Sequence, residues 1–212
     1  MASVDLTAAD LTAADPDFDG EFELDSVLVD GGQRAGAIGE GTINASVVRN
    51  VDLSGAKLGP LTVAGSELRG VDLSNASVQQ LVLRRAKLLT CRTVGLKLSI
   101  DLAMDASIED CRLDYAILHV HKVKVGLTFK GCTFRETTIT GDLSNVRFTD
   151  CDFAETEFRV TRAAKCDLRG SRLLSAKGLL SLRGAMISPE QAVAAATLIA
   201  SEAGLIVIGD DA

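Results

Sequence analysis

Apolar residues recur every five positions along the first half of the chain: Ile38, Ile43, Val48, Leu53, Leu58, Val63, Leu68, Leu73, Val78, Leu83 and Leu88. Two residues before most of these centres stands a second apolar or small residue, as at Val51, Ala56, Leu61, Ser66, Val71, Ala76, Leu81 and Ala86. Asp often precedes the centre, and Ser or Arg follows it. In an extended chain, residues two apart point the same way. The centre and its partner therefore face inward together, while the other three positions face water and turn a corner. A five-residue period fits neither one continuous strand nor one helix. It closes into a coil when four units make one turn, which predicts a repeat of about 20 residues.

The second half of the chain keeps this repeat with one compensated slip. Cys91 and Cys111 both stand two before a centre and are 20 apart; Cys132 follows after 21 and Cys151 after 19. The centres agree: Ile108 to Phe129, Leu113 to Phe134 and Leu118 to Ile139 are each 21 apart, and Phe148, Phe153 and Phe158 each follow 19 later. One extra residue is expected between Val123 and Phe129 and one fewer between Ile139 and Leu143, because an uncorrected slip would turn the inward set outward. Cys91, Cys111, Cys132 and Cys151 then form an inward column, with a coil-to-coil spacing of roughly 4.8 Å.

The units VDLSG, VDLSN, GDLSN, CDFAE and CDLRG resemble the pentapeptide-repeat family, whose consensus is approximately Ala, Asp or Asn, Leu, then two polar residues. The resemblance covers about residues 26–187, with departures at 92–97 and 101–105. It implies an all-β fold, a right-handed quadrilateral parallel β-helix of about eight coils. Leu53, Leu58, Leu68, Leu73, Leu83, Leu113, Phe134, Phe148, Phe153, Phe158 and Leu168 are then core centres.

The two ends depart from the repeat. A solenoid exposes an apolar, unpaired edge at each end, which must be capped or used for pairing. Ser188, Pro189, Glu190 and Gln191 make a capping box with Pro at the first helical position. A helix is predicted from Pro189 to about Ala203, stopped by Gly204, and Leu205, Ile206, Val207 and Ile208 read as a final short strand. Residues 188–212 thus form a capping or dimerisation unit, with Val193, Leu198, Ile199 and Leu205–Ile208 as its apolar contacts. Two readings stand, a simple lid or a tail-to-tail homodimer. The second is implied by similarity to the ending of the mycobacterial quinolone-resistance pentapeptide proteins. At the other end VDLTA and ADLTA, centred on Leu6 and Leu11, are interrupted by Pro16 and by Asp15, Asp17, Asp19, Glu21, Glu23 and Asp25. Residues 1–25 are expected to be an acidic arm or an imperfect first coil, with the regular stack beginning near Ser26.

Composition narrows the picture. Hydrophobic residues make up 47% of the chain but aromatics only 4%, with no Trp, which suits a thin stacked interior. The start lacks the pattern of a signal peptide and no apolar run reaches a membrane span, so a cytoplasmic protein with no membrane association is expected. Five Cys without a secretory signal point to free thiols. Charge is uneven: positions 1–30 hold nine acidic and no basic residues, whereas Gly41 to Ile187 holds 21 Lys and Arg against 15 Asp and Glu, a net plus 6.

Candidate chemistry is sparse. His119 and His121 make an H-x-H, but the coil frame turns His119 outward and His121 inward, and a zinc site needs three or four converging ligands. Asp101, 20 residues before His121, either stacks inward under it or gives way to a slip that turns Ile100 and Leu102 inward. GAIGEG, from Gly36 to Gly41, lacks the Lys and helix of a phosphate loop and reads as turn chemistry. No catalytic, cofactor or metal site is predicted, and the Cys column is packing. Arg84, Arg85, Lys87, Arg92 and Lys97 lie outward, yet no exposed aromatics accompany them, so direct nucleic-acid binding is not expected.

The resemblance implies two functions. Some family members resemble B-form DNA in width and negative charge and bind type II topoisomerases in its place. DNA gyrase or another type II topoisomerase is then a partner, modulated or protected by partial DNA mimicry. A net plus 6 over the coils is poor mimicry of a polymer with about one negative charge per 1.7 Å. An acidic stripe would have to come from Glu109, Asp110, Asp114, Asp150, Asp152, Glu155 and Glu157, with Arg112, Arg147 and Arg159 interleaved. The other function is a general protein–protein scaffold without a topoisomerase target; both are non-enzymatic.

Overall fold

The computed structural model describes residues 11–208. The chain winds as a four-sided coil whose successive turns stack as parallel strands in two sheets of eight strands each. Eight passes through each sheet give seven full turns from first to last. In the coil from Ser66 to Arg85, the first side centres on Leu68, the second on Leu73, the third on Val78 and the fourth on Leu83, and all four centres are buried. One sheet, from Thr12–Ala13 to Val146–Thr149, carries the first side. The other, from Gly20–Asp25 to Glu157–Arg162, folds around the third and fourth sides. Its strands therefore reach eight residues at Lys57–Ala64, Ser77–Arg84 and Lys97–Met104. The second side is held by single parallel bridges that run from Asp52 through Asp72, Arg92, Arg112 and Thr133 to Asp152.

The five-residue pattern becomes four inward columns. Leu53, Leu58, Leu68, Leu73, Leu83, Leu113, Phe134, Phe148, Phe153, Phe158 and Leu168 are all buried, as are Val51, Ala56, Leu61, Ser66 and Val71 two before their centres. Each Leu or Phe so removed from water contributes on the order of 1.5–3 kcal/mol before entropy is counted. In the C-terminal half, aromatics widen the stack. Phe129 lies parallel on Phe148 and Phe134 on Phe153, with centroids 5.1 Å apart in both pairs, one coil rise.

Corners are turned by residues in the left-handed region. After the second side these are Gly55, Asn75, Gly95, Tyr115, Glu136, Glu155 and Ser175, with φ between 51° and 71°. The Ala76 amide donates across the corner to the Leu73 carbonyl at 3.1 Å, a turn whose third residue favours Gly or Asn, although Tyr115, Glu136, Glu155 and Ser175 hold the same position in later coils.

The slip sits where the spacing predicts it. Ala103 bridges Val123, 20 residues on, but Ala106 pairs with Leu127, 21 on, so the extra residue falls between Val123 and Leu127. The compensating loss is at Gly141–Asp142: Gly141 pairs with Val160 and Asp142 with Arg162.

Four expectations need correction. Ile38 is not a centre: it pairs with Lys57, 19 residues on, and is 61% exposed, because the register changes only between Gly39 and Gly41. Ala37 is buried in its place, and Phe18 and Phe22, packed edge-to-face, lie over these glycines. A Cβ at Gly41 would stand 2.0 Å from the Phe22 carbonyl oxygen, so no larger residue fits that crossing. Regular pairing begins before Ser26, since Thr12–Ala13 and Gly20–Asp25 already pair in the two sheets. Of the expected arm, residues 1–10, with Leu6, lie outside the described residues, as do 209–212. His121 is exposed rather than inward, because the chain turns Val120 and Val123 into the core instead; one coil earlier Ile100 and Ala103 are buried, while Asp101 and Leu102 are only half-buried. Finally, Leu205–Ile208 forms no strand: the segment is exposed and has no regular secondary structure, and among the described residues no strand pairs with it.

Candidate interaction site

The Cys column shows why the position two before each centre is small. Cys91, Cys111, Cys132 and Cys151 are buried, and each thiol donates to backbone carbonyls of its own coil and the preceding one. Cys111 reaches Glu109 O at 3.2 Å and Leu88 O at 3.8 Å; Cys151 reaches Thr149 O at 3.4 Å and Phe129 O at 3.5 Å. Hydroxyls play the same part elsewhere, as where Ser66 Oγ donates to Ala64 O at 2.7 Å and accepts from Ser46 N at 3.0 Å. A small side chain with one donor thus adds a second bond to a corner carbonyl that already accepts an amide of the preceding coil, as Ala64 O does from Ala45 N, Glu109 O from Thr90 N and Thr149 O from Gly131 N. The Cys132 thiol and burial push the Cys111 thiol up to about 12, and burial pushes Cys166, on the first side, up to about 12. At neutral pH these are not thiolate nucleophiles. Among the described residues no three His, Cys, Asp or Glu side chains converge as metal ligands, and His119 Nδ1 contacts Thr140 Oγ1 at 2.8 Å.

The interior offers no substrate chamber. Its cavity, about 40 Å³, lies among Phe18, Phe22, Ile43, Leu58, Leu61 and Val63. With no polar lining to hold a water, such a void stays dry.

The C-terminal end is closed by helix α1 (Pro189–Glu202), whose N-cap is Ser188 and which has a complete capping box with Gln191. Gln191 also serves the coil: its Nε2 donates to Leu168 O at 2.7 Å and to Ser171 O at 2.6 Å. At the other end of α1, Glu202 accepts from the amides of Gly178 and Leu180. One side chain thus donates to carbonyls of the last coil, of which Leu168 O also accepts from the Ser171 amide, and the other accepts from its amides. Ala195 is buried beneath the helix, with Leu198 and Ile199 packed against the core; Val193 is 79% exposed. Leu205, Ile206, Val207 and Ile208 are exposed as well. Of the thirteen large hydrophobics exposed among the described residues, nine follow Leu173.

The long sides differ in charge. On the first and second sides, arginines are tied to neighbouring carboxylates: Arg49 to Asp30 at 2.7 Å, Arg112 to Asp114 at 2.7 Å, Arg169 to Asp167 at 2.9 Å and Arg172 to Asp152 at 2.7 Å. Of the acidic stripe set out from the sequence, Asp114 and Asp152 are neutralised in this way, and Glu157 pairs with Arg159 at 2.8 Å. Asp114 is buried. Burial pushes its carboxyl up, but hydrogen bonds from Arg112 and the Arg135 amide outweigh it and hold the group below the ordinary carboxylate range. The fourth side, between Val82 and Lys165, carries Arg84, Arg85, Lys122, Lys124, Arg162 and Lys165 against Asp101, Asp105 and Asp142. The first two coils, 11–40, hold eight carboxylates against Arg34.

A four-sided rod of stacked five-residue sides, with apolar or small residues two before each centre, matches the fold of a pentapeptide-repeat β-helix. The family model described as pentapeptide repeats (8 copies) matches residues 142–173. A trypsin-treated variant of QnrB1, a plasmid-mediated fluoroquinolone resistance protein, is similar in structure at 19% identity, covering 93% of this chain and 96% of that one, with a TM-score of 0.49. HetL, a pentapeptide repeat protein involved in heterocyst differentiation regulation from the cyanobacterium Nostoc sp. strain PCC 7120, is 15% identical over 79% of this chain and 88% of that one, with a TM-score of 0.35. No curated protein matches in sequence. Among the described residues no helix is long and apolar enough to cross a membrane.

Proposed function

We propose that this protein is a non-catalytic binding rod that pairs with a second copy through its C-terminal end and presents its rigid sides to a protein partner. The observation that carries the pairing is the concentration of exposed apolar side chains at that end, in Leu180, Val193 and Leu205–Ile208. Monomer surfaces seldom leave such clusters in water, and an unpaired run completes its hydrogen bonds against another chain. The test is sedimentation velocity of the full chain and of a chain ending at Gly204, which keeps the caps made by Gln191 and Glu202. A dimer that becomes a folded monomer on truncation is expected; a full chain that sediments as a monomer at tens of micromolar overturns the pairing.

Modulation of a type II topoisomerase by partial DNA mimicry is the second reading. It is favoured by the acidic first two coils, with eight carboxylates to one Arg between residues 11 and 40. A DNA gyrase supercoiling assay with and without a fluoroquinolone tests it. Inhibition or drug protection at micromolar protein is expected of a mimic, and no effect leaves the general scaffold.

A further inference from the structure

We infer that the fourth side of the rod, from Val82 to Lys165, is a docking surface for an acidic protein segment that carries apolar residues between its carboxylates. The inference rests on the reading of the sides as protein-binding. It begins with register. Val82 pairs with Leu102 and Arg84 with Met104; Ala103 bridges Val123, and Asp142 pairs with Arg162. The outward neighbours of these centres therefore form two columns, Val82–Leu102–Lys122–Asp142–Arg162 and Arg84–Met104–Lys124–Ser144, beside a corner column of Arg85, Asp105, Val125, Asn145 and Lys165.

Basic pairs thus stand on every second coil, at Arg84 with Arg85, Lys122 with Lys124, and Arg162 with Lys165. The footprint from first to last pair is roughly 19 Å, four rises of about 4.8 Å. In the coil between the first two pairs Leu102 and Met104 lie half-buried between Asp101 and Asp105, and Val125 at the edge is 65% exposed. On the first and second sides several arginines are matched to carboxylates one coil away or two residues along. The fourth side has six cationic residues and three acidic ones, Asp101, Asp105 and Asp142, so it carries an excess of positive charge complementary to something outside the coil.

Two features select an acidic protein over a nucleic acid. Leu102 and Met104 between the cationic pairs give side chains something to bury against, which phosphates and sugars do not use. A net plus 3, six cations less three acids, over about 19 Å, roughly one charge per 6 Å, is also sparse beside a duplex carrying about one charge per 1.7 Å. No Phe, Tyr or Trp lies on this side to stack a base. The sheet is rigid and pre-ordered, so the ordering cost falls on the incoming segment alone.

The test uses the full chain and three fluorescent probes: a peptide alternating Glu with Leu and Ser, poly-glutamate of equal charge, and a 20-base-pair DNA duplex, read by anisotropy at 50 and 300 mM salt. Expected is binding of the Glu–Leu peptide at least fivefold tighter than either other probe, weakened severalfold by the higher salt. The double variant Lys122→Glu with Lys124→Glu should lose at least tenfold, while Lys87→Glu with Lys130→Glu on the first side stays within twofold. All four lysines are on outward positions, so circular dichroism should be unchanged. Tighter binding of the duplex, equal loss in the control variant, or no peptide binding at 50 mM salt overturns the inference. So does salt-sensitive self-association of the full chain that the Lys122/Lys124 variant abolishes while the peptide stays unbound, since the occupant is then the acidic first coil of a second copy. Sedimentation of the Gly204 truncation separates these outcomes from failure of the C-terminal pairing, which is apolar.

Discussion

Single residues carry both the strengths and the strain of the coil. Thr90 turns a corner at φ 51°, a conformation that a β-branched residue adopts only at a cost. Its neighbours in that column include Gly70, Gly131 and Gly170. Thr90→Gly should raise stability by about 1 kcal/mol, a rise of about 2–4 °C in melting temperature for a chain of this size. Asp114 is the opposite case, a buried carboxylate held ionised by Arg112 and the Arg135 amide. Its folded pKa lies below its unfolded value, so its stabilisation is complete above about pH 4 and is lost as pH falls through the lowered folded value. Asp114→Asn should cost about 2 kcal/mol at pH 7, and the gap to the unaltered protein, measured by urea unfolding, should close as the pH falls below the ordinary carboxylate range. The alternation of centre and small partner was legible in the residues themselves. Which Asp would be buried was not, because it depends on the turn that carries Arg135 past it in the next coil.

At the scale of elements, the terminal helix is a lid because of two side chains rather than its apolar face. Ala195 is its one fully buried hydrophobic, while Gln191 and Glu202 take up carbonyls and amides of the last coil. Gln191→Ala removes half of the capping box and leaves Leu168 O and Ser171 O without that donor, a loss of about 1–2 kcal/mol. In a solenoid each repeat contacts only its neighbours. Hydrogen exchange should therefore rise in residues 166–186 and stay unchanged before Cys151; a uniform rise along the rod would contradict this. The capping box was readable as Ser-Pro-Glu-Gln, and so was the stop at Gly204. The second role of Gln191 was not, since its acceptors lie 23 and 20 residues away and meet it only when the coil closes. Leu205–Ile208 has the composition of a strand, but a strand needs a partner edge and the described residues supply none there.

For the whole molecule, register is the controlling quantity. The coil of Phe129, Phe134 and Ile139 runs one residue out of step and is brought back at Gly141–Asp142. Deleting Gly126 alone returns Phe129 and Phe134 to the regular 20-residue spacing but leaves the short step at Gly141–Asp142 uncompensated, so Phe148 and Phe153 should turn toward solvent and the protein should aggregate or be strongly destabilised. The same deletion with one Ala inserted after Gly141 restores the inward set and should recover a cooperative melt. A deletion variant as stable as the parent would show that the slip is not what aligns the columns. From local spacing alone, the sequence determined the four-sided coil, its inward columns, the compensated slip and the capping helix, because each follows from which residues face the same way within a few positions. Only the tertiary structure decided that Ile38 and His121 face water, that Phe18 and Phe22 lie over a pair of glycines, and that arginines of the first and second sides meet carboxylates. Those outcomes depend on which residues of adjacent coils meet, and a register change of one residue, invisible to local pattern at the irregular first coils, decides every such meeting.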